Sequence, residues 1–268
     1  MSILRATCLL LCVPLAAVAG DFTFTVNGET FTYSDAQRTF SGLILVPPGP
    51  GPFPAIVFDH GQGGTPNSYP NVDVMLSWGA VVIAPTLTHV AGGETAPATT
   101  GQCPENLARG IAIADALATL AYVDPTRIAW FGHSKGAYAT IGQVSALGAR
   151  VRVAAMSAGG VLPDAAGTAQ AAPTHGEAIG TVAPFIMFHG SEDGSVPPPR
   201  SLDFQVQLDA RSVPNSRVVY DVTGLPGELQ HNLHQVPAIN TDMLAQTLAW
   251  YTQWGLFGTT ALFVDGFE

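Results

Sequence analysis

The chain has 268 residues, with ten Lys and Arg against twenty Asp and Glu, and a formal net charge of −10. That length suits one α/β domain with a core large enough to fold unaided. A surface this negative repels phosphate backbones and anionic lipid, which argues against nucleic-acid binding through a basic face.

Residues 1–19 stand apart. Arg5 is their charged side chain, an apolar run extends from Leu9 to Val18, and Ala17-Val18-Ala19 offers small residues where a signal peptidase reads them. This pattern predicts a secretory signal peptide cleaved after Ala19, and so a secreted or periplasmic protein. The apolar run is too short to span a bilayer comfortably, so no stable membrane insertion is expected after cleavage. A lipoprotein signal is disfavoured because Leu11, before Cys12, is too bulky. Cleavage removes Cys8 and Cys12 and leaves Cys103, which cannot form an internal disulfide and lacks a basic partner nearby in sequence.

Residues 20–258 read as a single domain. Phe22, Phe24 and Val26 alternate with polar residues, Asn27-Gly28 follows, and Phe31 and Tyr33 resume the alternation, a hairpin pattern. Leu43–Val46 is a further strand, ending at the Pro- and Gly-rich run from Pro47 to Pro54. Ala55–Phe58 and Ala80–Ala84 are short apolar runs suited to strands covered on both faces. Leu107 to Tyr122 carries Leu107, Ile111, Ala114, Leu117 and Ala118 at helical spacing. Arg127–Phe131 is a strand and Ala137–Leu147 a helix. Strands follow at Val151–Met156, Phe185–Phe188 and Arg217–Val222, and a helix at Asp242–Trp254. Gly159–Val182 is weakly patterned and reads as a loop or short helices, too small for a lid domain. Antiparallel strands followed by strand–helix alternation predict an α/β fold: a mostly parallel central sheet with helices on both faces.

Gly132-His133-Ser134-Lys135-Gly136 fits the Gly-x-Ser-x-Gly nucleophile elbow, between a predicted strand and a predicted helix as that motif requires. The serine sits on a sharp turn where side chains two residues away on either side would collide, hence the two glycines. Ser134 needs a base, and the base an acid. In this fold they follow in the order Ser, Asp, His. Asp193, just past the strand Phe185–Phe188, is the candidate acid, with Glu192 its competitor and a plain turn residue the bland alternative. His231 and His234 share one loop after the last strand, and either could be the base. His60, His89, His133, His175 and His189 fall out of order and read as structural.

These pieces resemble the dienelactone-hydrolase-like branch of the α/β hydrolases. The segments are Pro54-Ala55-Ile56-Val57-Phe58-Asp59-His60-Gly61, Asp124-Pro125-Thr126-Arg127-Ile128, the elbow, and His189-Gly190 with Asp193, in that branch's order. Serine stands where members proper often carry cysteine, so the chain looks more like the general esterase relatives. The resemblance implies His231 as the base, since it precedes Asn232-Leu233. It also implies the backbone N–H groups of Gln62 and Lys135 as oxyanion donors. The Lys135 side chain is expected to be solvated.

The expected chemistry is hydrolysis of a small-molecule or polymeric ester through an acyl-enzyme. Ester is preferred to amide because no added peptide-selecting domain and no lid are evident; a peptidase or amidase with the same triad is the alternative. A non-catalytic binding protein on a hydrolase scaffold is the other. No cofactor or metal is expected: no histidine pair has zinc-ligand spacing on a helix and no Cys-x-x-Cys occurs. Residues 259–268 form an acidic-aromatic tail that resembles those ending other secreted proteins; a sorting or docking tag, a last strand and a frayed end all fit it.

Overall fold

The computed structural model describes residues 22–69, 71–93, 103–161 and 182–258. Residues 1–19, where a signal peptide is expected, residues 259–268, His175 and most of Gly159–Val182 lie outside them.

The amino-terminal strands β1 (Phe22–Asn27), β2 (Thr30–Asp35) and β3 (Thr39–Leu45) form an antiparallel meander. The β1–β2 turn is centred on Gly28-Glu29, one residue later than the Asn-Gly signal suggests, with Asn27 paired to Thr30. Phe24, Phe31, Tyr33 and Phe40 are buried and stack, with Phe24–Phe31 and Tyr33–Phe40 centroids 5.2 and 5.0 Å apart. This alternation covers one end of the core.

The remaining strands are β4 (Phe53–Asp59), β5 (Val81–Pro85), β6 (Val123–His133), β7 (Val153–Ser157), β8 (Phe185–Gly190) and β9 (Asn215–Tyr220). The sheet order is β1-β2-β3-β5-β4-β6-β7-β8-β9, parallel from β5 to β9 and antiparallel from β1 through β3 to β5. This is the α/β fold that the sequence predicts. Strands β5 and β7 are buried along their whole length, as continuous apolar runs demand. Each fully buried Val or Ile there contributes about 1.5–3 kcal/mol.

Among the described residues six α-helices lie between and after these strands: α1 (Asn71–Ser77), α2 (Pro104–Leu117), α3 (Lys135–Leu147), α4 (Pro199–Ala210), α5 (Gly227–His231) and α6 (Pro237–Gln253). One core layer joins the sheet to Ile113 and Leu117 of α2, Ile141 and Val144 of α3, and Phe204 and Leu208 of α4. The opposite layer takes Val72 and Met75 of α1 and Met243, Leu244 and Tyr251 of α6.

Three expectations are corrected here. Helix α2 runs from Pro104 to Leu117 and not from Leu107 to Tyr122, because Pro104 opens its first turn and the chain leaves at Ala118 toward β6. Helix α6 begins at Pro237, upstream of the expected Asp242. His231 closes α5, and His234 sits in a 3-10 turn, Leu233–Gln235, where the sequence reads as one loop. Among the described residues, no helix is long and apolar enough to cross a membrane.

Candidate active site

Strand β6 lies in the middle of the sheet, between β4 and β7, and delivers Ser134 at its carboxyl end. Ser134 adopts φ 55°, ψ −122°, a strained conformation for a residue with a side chain. Its N–H donates to Ser157 O at 3.0 Å, which ties the turn to β7. The flanking glycines have a steric cause. A side-chain carbon on Gly136 would strike Asp59 O and His60 O, and one on Gly132 would strike Thr140 Oγ1. The two glycines let α3 pack directly against the carboxyl ends of β4 and β6.

The structure brings the serine, histidine and aspartate together. Ser134 Oγ–H donates to His231 Nε2 at 2.8 Å, and His231 Nδ1–H donates to Asp193 Oδ2 at 2.8 Å. The other carboxylate oxygen accepts the N–H groups of Ser195 and Val196, each at 2.9 Å. Burial alone raises the carboxyl pKa of Asp193. Hydrogen bonds from His189 and His231, the adjacent His231 charge and Val196 N–H outweigh it and hold Asp193 well below the usual carboxylate range. The three residues form a Ser–His–Asp arrangement of the serine-hydrolase type.

Two competitors are placed elsewhere. Glu192 is exposed, and its carboxylate accepts from Gln230 and Thr223. His234 packs against Tyr69 and His133, with centroids 4.7 Å away in each case. Burial, then the His231 charge, lowers its pKa to about 4. His189 also approaches Asp193, at 3.5 Å, yet its ring is fully buried and its Nε2 lies 2.7 Å from Val196 O. Ser201, nearby in sequence, donates to Pro198 O at 3.0 Å and accepts from Arg217 Nε at 2.8 Å. His189 therefore lies beside Asp193 with its Nε2 engaged by Val196 O, and Ser201 is bonded elsewhere.

Ser134 and His231 open onto a cavity of about 290 Å³ whose wall includes Gly61, Gln62, Tyr69, His133, Ser195 and Asn232. Gln62 thus lies beside the serine, and Lys135 opens α3 directly after it. The amino end of that helix carries a partial positive charge toward the serine. The Lys135 side chain is not solvated as expected: the residue is only 4 % exposed.

A buried polar network holds the Gln62 loop; His60 and His89, which read as structural in the sequence, form its centre, while their distant backbone partners had no sequence signal. His60 Nε2 accepts from Leu87 N–H at 3.0 Å and its Nδ1–H donates to Gly61 O at 2.9 Å. His89 Nε2–H donates to His60 O at 2.8 Å, and Asn106 ties Thr88 to α2. Burial lowers the pKa of His60, and lowers that of His89 to about 3, which keeps both rings neutral. Gln143 bridges Trp130 Nε1 and Asn106 O. Tyr69 OH accepts Gly61 N–H at 2.9 Å. The available signal was chemical: Asn106 and Gln143 are polar residues among the mostly apolar buried residues of α2 and α3. Among the described residues, no group of three or more His, Cys, Asp or Glu could hold a metal ion.

A protein-family model described as chlorophyllase matches residues 19–175. The chain belongs to the chlorophyllase family. The matched span includes Gln62, Ser134 and Lys135 and ends before Asp193 and His231. No curated protein matches the sequence. Among solved structures, the chain is similar to esterase Est2 of Thermogutta terrifontis with propionate bound, at 17% identity and a TM-score of 0.63, over 83% of this chain and 92% of that one. It is also similar to a puromycin-hydrolyzing peptidase of Mycobacterium tuberculosis, at 17% identity and TM-score 0.63, over 87% of this chain. The acylaminoacyl peptidase of Pyrococcus horikoshii matches at 15% identity and TM-score 0.66, over 89% of this chain. The chain spans 46% and 42% of those two peptidases. At such identities the likenesses establish the α/β-hydrolase fold. They do not single out the dienelactone-hydrolase-like branch that the motifs resemble.

Proposed function

We propose that the chain is an exported serine hydrolase that cleaves carboxylic esters through an acyl-enzyme. The observation that carries this reading is the hydrogen-bonded row Ser134–His231–Asp193, set on a strained elbow and open to a cavity. His231 removes the Ser134 proton as the oxygen attacks the ester carbonyl. The oxyanion rests on the N–H groups of Gln62 and Lys135, and the alcohol leaves with the proton that His231 returns. Water, deprotonated by the same imidazole, then releases the acid. Asp193 stays ionised and steadies the imidazolium.

One finding favours esters over amides. The chain spans 92% of the Est2 structure but less than half of either peptidase. The family model that it matches is described as chlorophyllase, which makes chlorophyll a substrate to test. The peptidase likenesses keep amide cleavage as the second reading. The dienelactone-hydrolase-like motif order points the same way, to a serine esterase relative. Export rests on the pattern of residues 1–19.

The test is hydrolysis of chromogenic esters from acetate to decanoate, with chlorophyll and aminoacyl anilides in parallel. Ester turnover that falls by about 10⁴-fold or more in Ser134→Ala supports the reading. Anilide turnover without ester turnover moves it to a peptidase. A folded wild type inert on every substrate moves it to a binding protein.

A further inference from the structure

His133 and Asn232 flank the reacting pair: one precedes Ser134, the other follows His231. His133 Nε2–H donates to Asn232 Oδ1 at 3.0 Å, alongside the Ser134–His231 bond. On the far side of the ring, Ser157 Oγ–H donates to His133 Nδ1 at 2.9 Å. A second row, Ser157–His133–Asn232, therefore runs beside Ser134–His231–Asp193 and joins β7, β6 and the segment that carries the base. We infer that His133, through its hydrogen bond to Asn232, is a positioning residue that fixes the His231 imidazole against Ser134. The inference rests on the hydrolase reading of Ser134 and His231 given above.

The location of Asn232 explains why a clamp matters. It ends α5 and precedes the 3-10 turn, with φ −91° and ψ 65°, so the chain changes direction directly after His231. The backbone of Asn232 is held to Glu228 O and Gln235 N–H, each at 2.8 Å, within the same segment. The His133 bond is different: it fastens that segment to the strand that delivers the nucleophile. A displacement of about 1 Å at such a site can cost 10²-fold in rate.

A histidine suits the task because it is both donor and acceptor while neutral. His133 and Ser157 are buried, at 2% and 1% exposure. The groups facing the His133 ring are His231, His234 and Tyr69, with centroids 5.2, 4.7 and 5.6 Å away, and Asp193 acts on it electrostatically. Burial, then the His234 and His231 charges, hold its pKa well below the ordinary value. The ring stays neutral while His231 gains and loses its proton, so both of its bonds persist through turnover.

The experiment measures the second-order rate at which a fluorophosphonate labels Ser134, located by peptide mass, between pH 5 and 9. The proteins are wild type, Ser134→Ala, Asn232→Ala and Asn232→Asp, each with a thermal melt. Asn232→Ala should label about 10- to 100-fold more slowly at an almost unchanged melting temperature. Asn232→Asp keeps an oxygen acceptor for His133 and adds a carboxylate beside His231. It should hold its plateau rate within about threefold of wild type, with the acidic limb moved up by about one pH unit. Asn232→Ala labelling at the wild-type rate would overturn the inference. So would equal slowing of both variants with an unmoved limb, which packing alone explains. Should Asn232→Ala not fold, the plateau and limb of Asn232→Asp decide. A folded wild type that does not label at Ser134 overturns the hydrolase reading, and the positioning role with it.

Discussion

Gly136 rests so close to the carbonyl of Asp59 that no side chain fits between them. This contact seats α3 on the end of β4, and the nucleophile turn is bent around it. Gly136→Ala is expected to destabilise the fold by about 1–3 kcal/mol, as overpacking does elsewhere. The check is a thermal melt alongside activity: a variant with wild-type stability and rate would show that the helix can retreat freely.

The side chain of Asp59 gives a second prediction. It is fully buried, accepts from Thr140 Oγ1 at 2.7 Å, and its Oδ1 has no hydrogen-bond partner. Burial raises its pKa from 3.8 to about 7, against opposing hydrogen bonds from Thr140 and Gln143. Between these values the folded protein keeps a proton that the unfolded chain has lost. Stability from this group is thus complete below about pH 4 and declines as pH rises toward 7. Asn at this position removes the decline. Asp59→Asn should match the wild-type melting temperature near pH 4 and exceed it at pH 8. A parallel pair of melting curves across that range would contradict the assignment.

His234 acts in the opposite direction. Its pKa falls from 6.5 to about 4 on folding, so the unfolded chain binds a proton first. Stability from the neutral ring is present above about pH 6.5 and is lost as pH falls toward 4. His234→Phe retains a ring against Tyr69 and His133 and should soften the acid-side loss of melting temperature. Ester turnover should stay within about tenfold of wild type, whereas His231→Ala should lose about 10³-fold or more. Equal loss in both variants would reopen the choice of base.

For Asp193, the expected result of Asp193→Asn is a loss of about 10⁴-fold in kcat with little change in KM, because the imidazole loses its tautomer partner. The carboxylate is shielded from solvent and bonded by His231, Ser195 and Val196. Stability from its depressed pKa is held above the unfolded value and lost as pH falls through the folded one. The asparagine variant should therefore show a shallower loss of melting temperature below pH 4. An active Asp193→Asn enzyme would shift attention to Glu192.

Much of this was legible in the residues themselves. Buried parallel strands announce themselves as short apolar runs, so β4, β5, β7 and β8 were foreseen to within a few residues. The elbow glycines and the order Ser, Asp, His pointed to three residues that the fold draws into one hydrogen-bonded row. Helix α4 was not seen. Its buried Ser201, Phe204 and Leu208 have helical spacing, but exposed Leu202 and Val206 blur it into alternation. Helices α1 and α5 are too short for periodicity to register. The His133–Asn232 bond joins residues 99 apart, and no local pattern reports such a pairing.

The spacing between Ser134 and His231, 97 residues, bears on how the protein comes into being. The nucleophile and the loop carrying Gln62 belong to the part of the chain that is made first, and the base arrives only after β9. A nascent chain can therefore build the middle of its sheet while its serine still has no proton acceptor. On the proposed mechanism, hydrolytic power is withheld during most of synthesis, and a product cut short before α5 lacks the group that would take the serine proton however well its strands had paired.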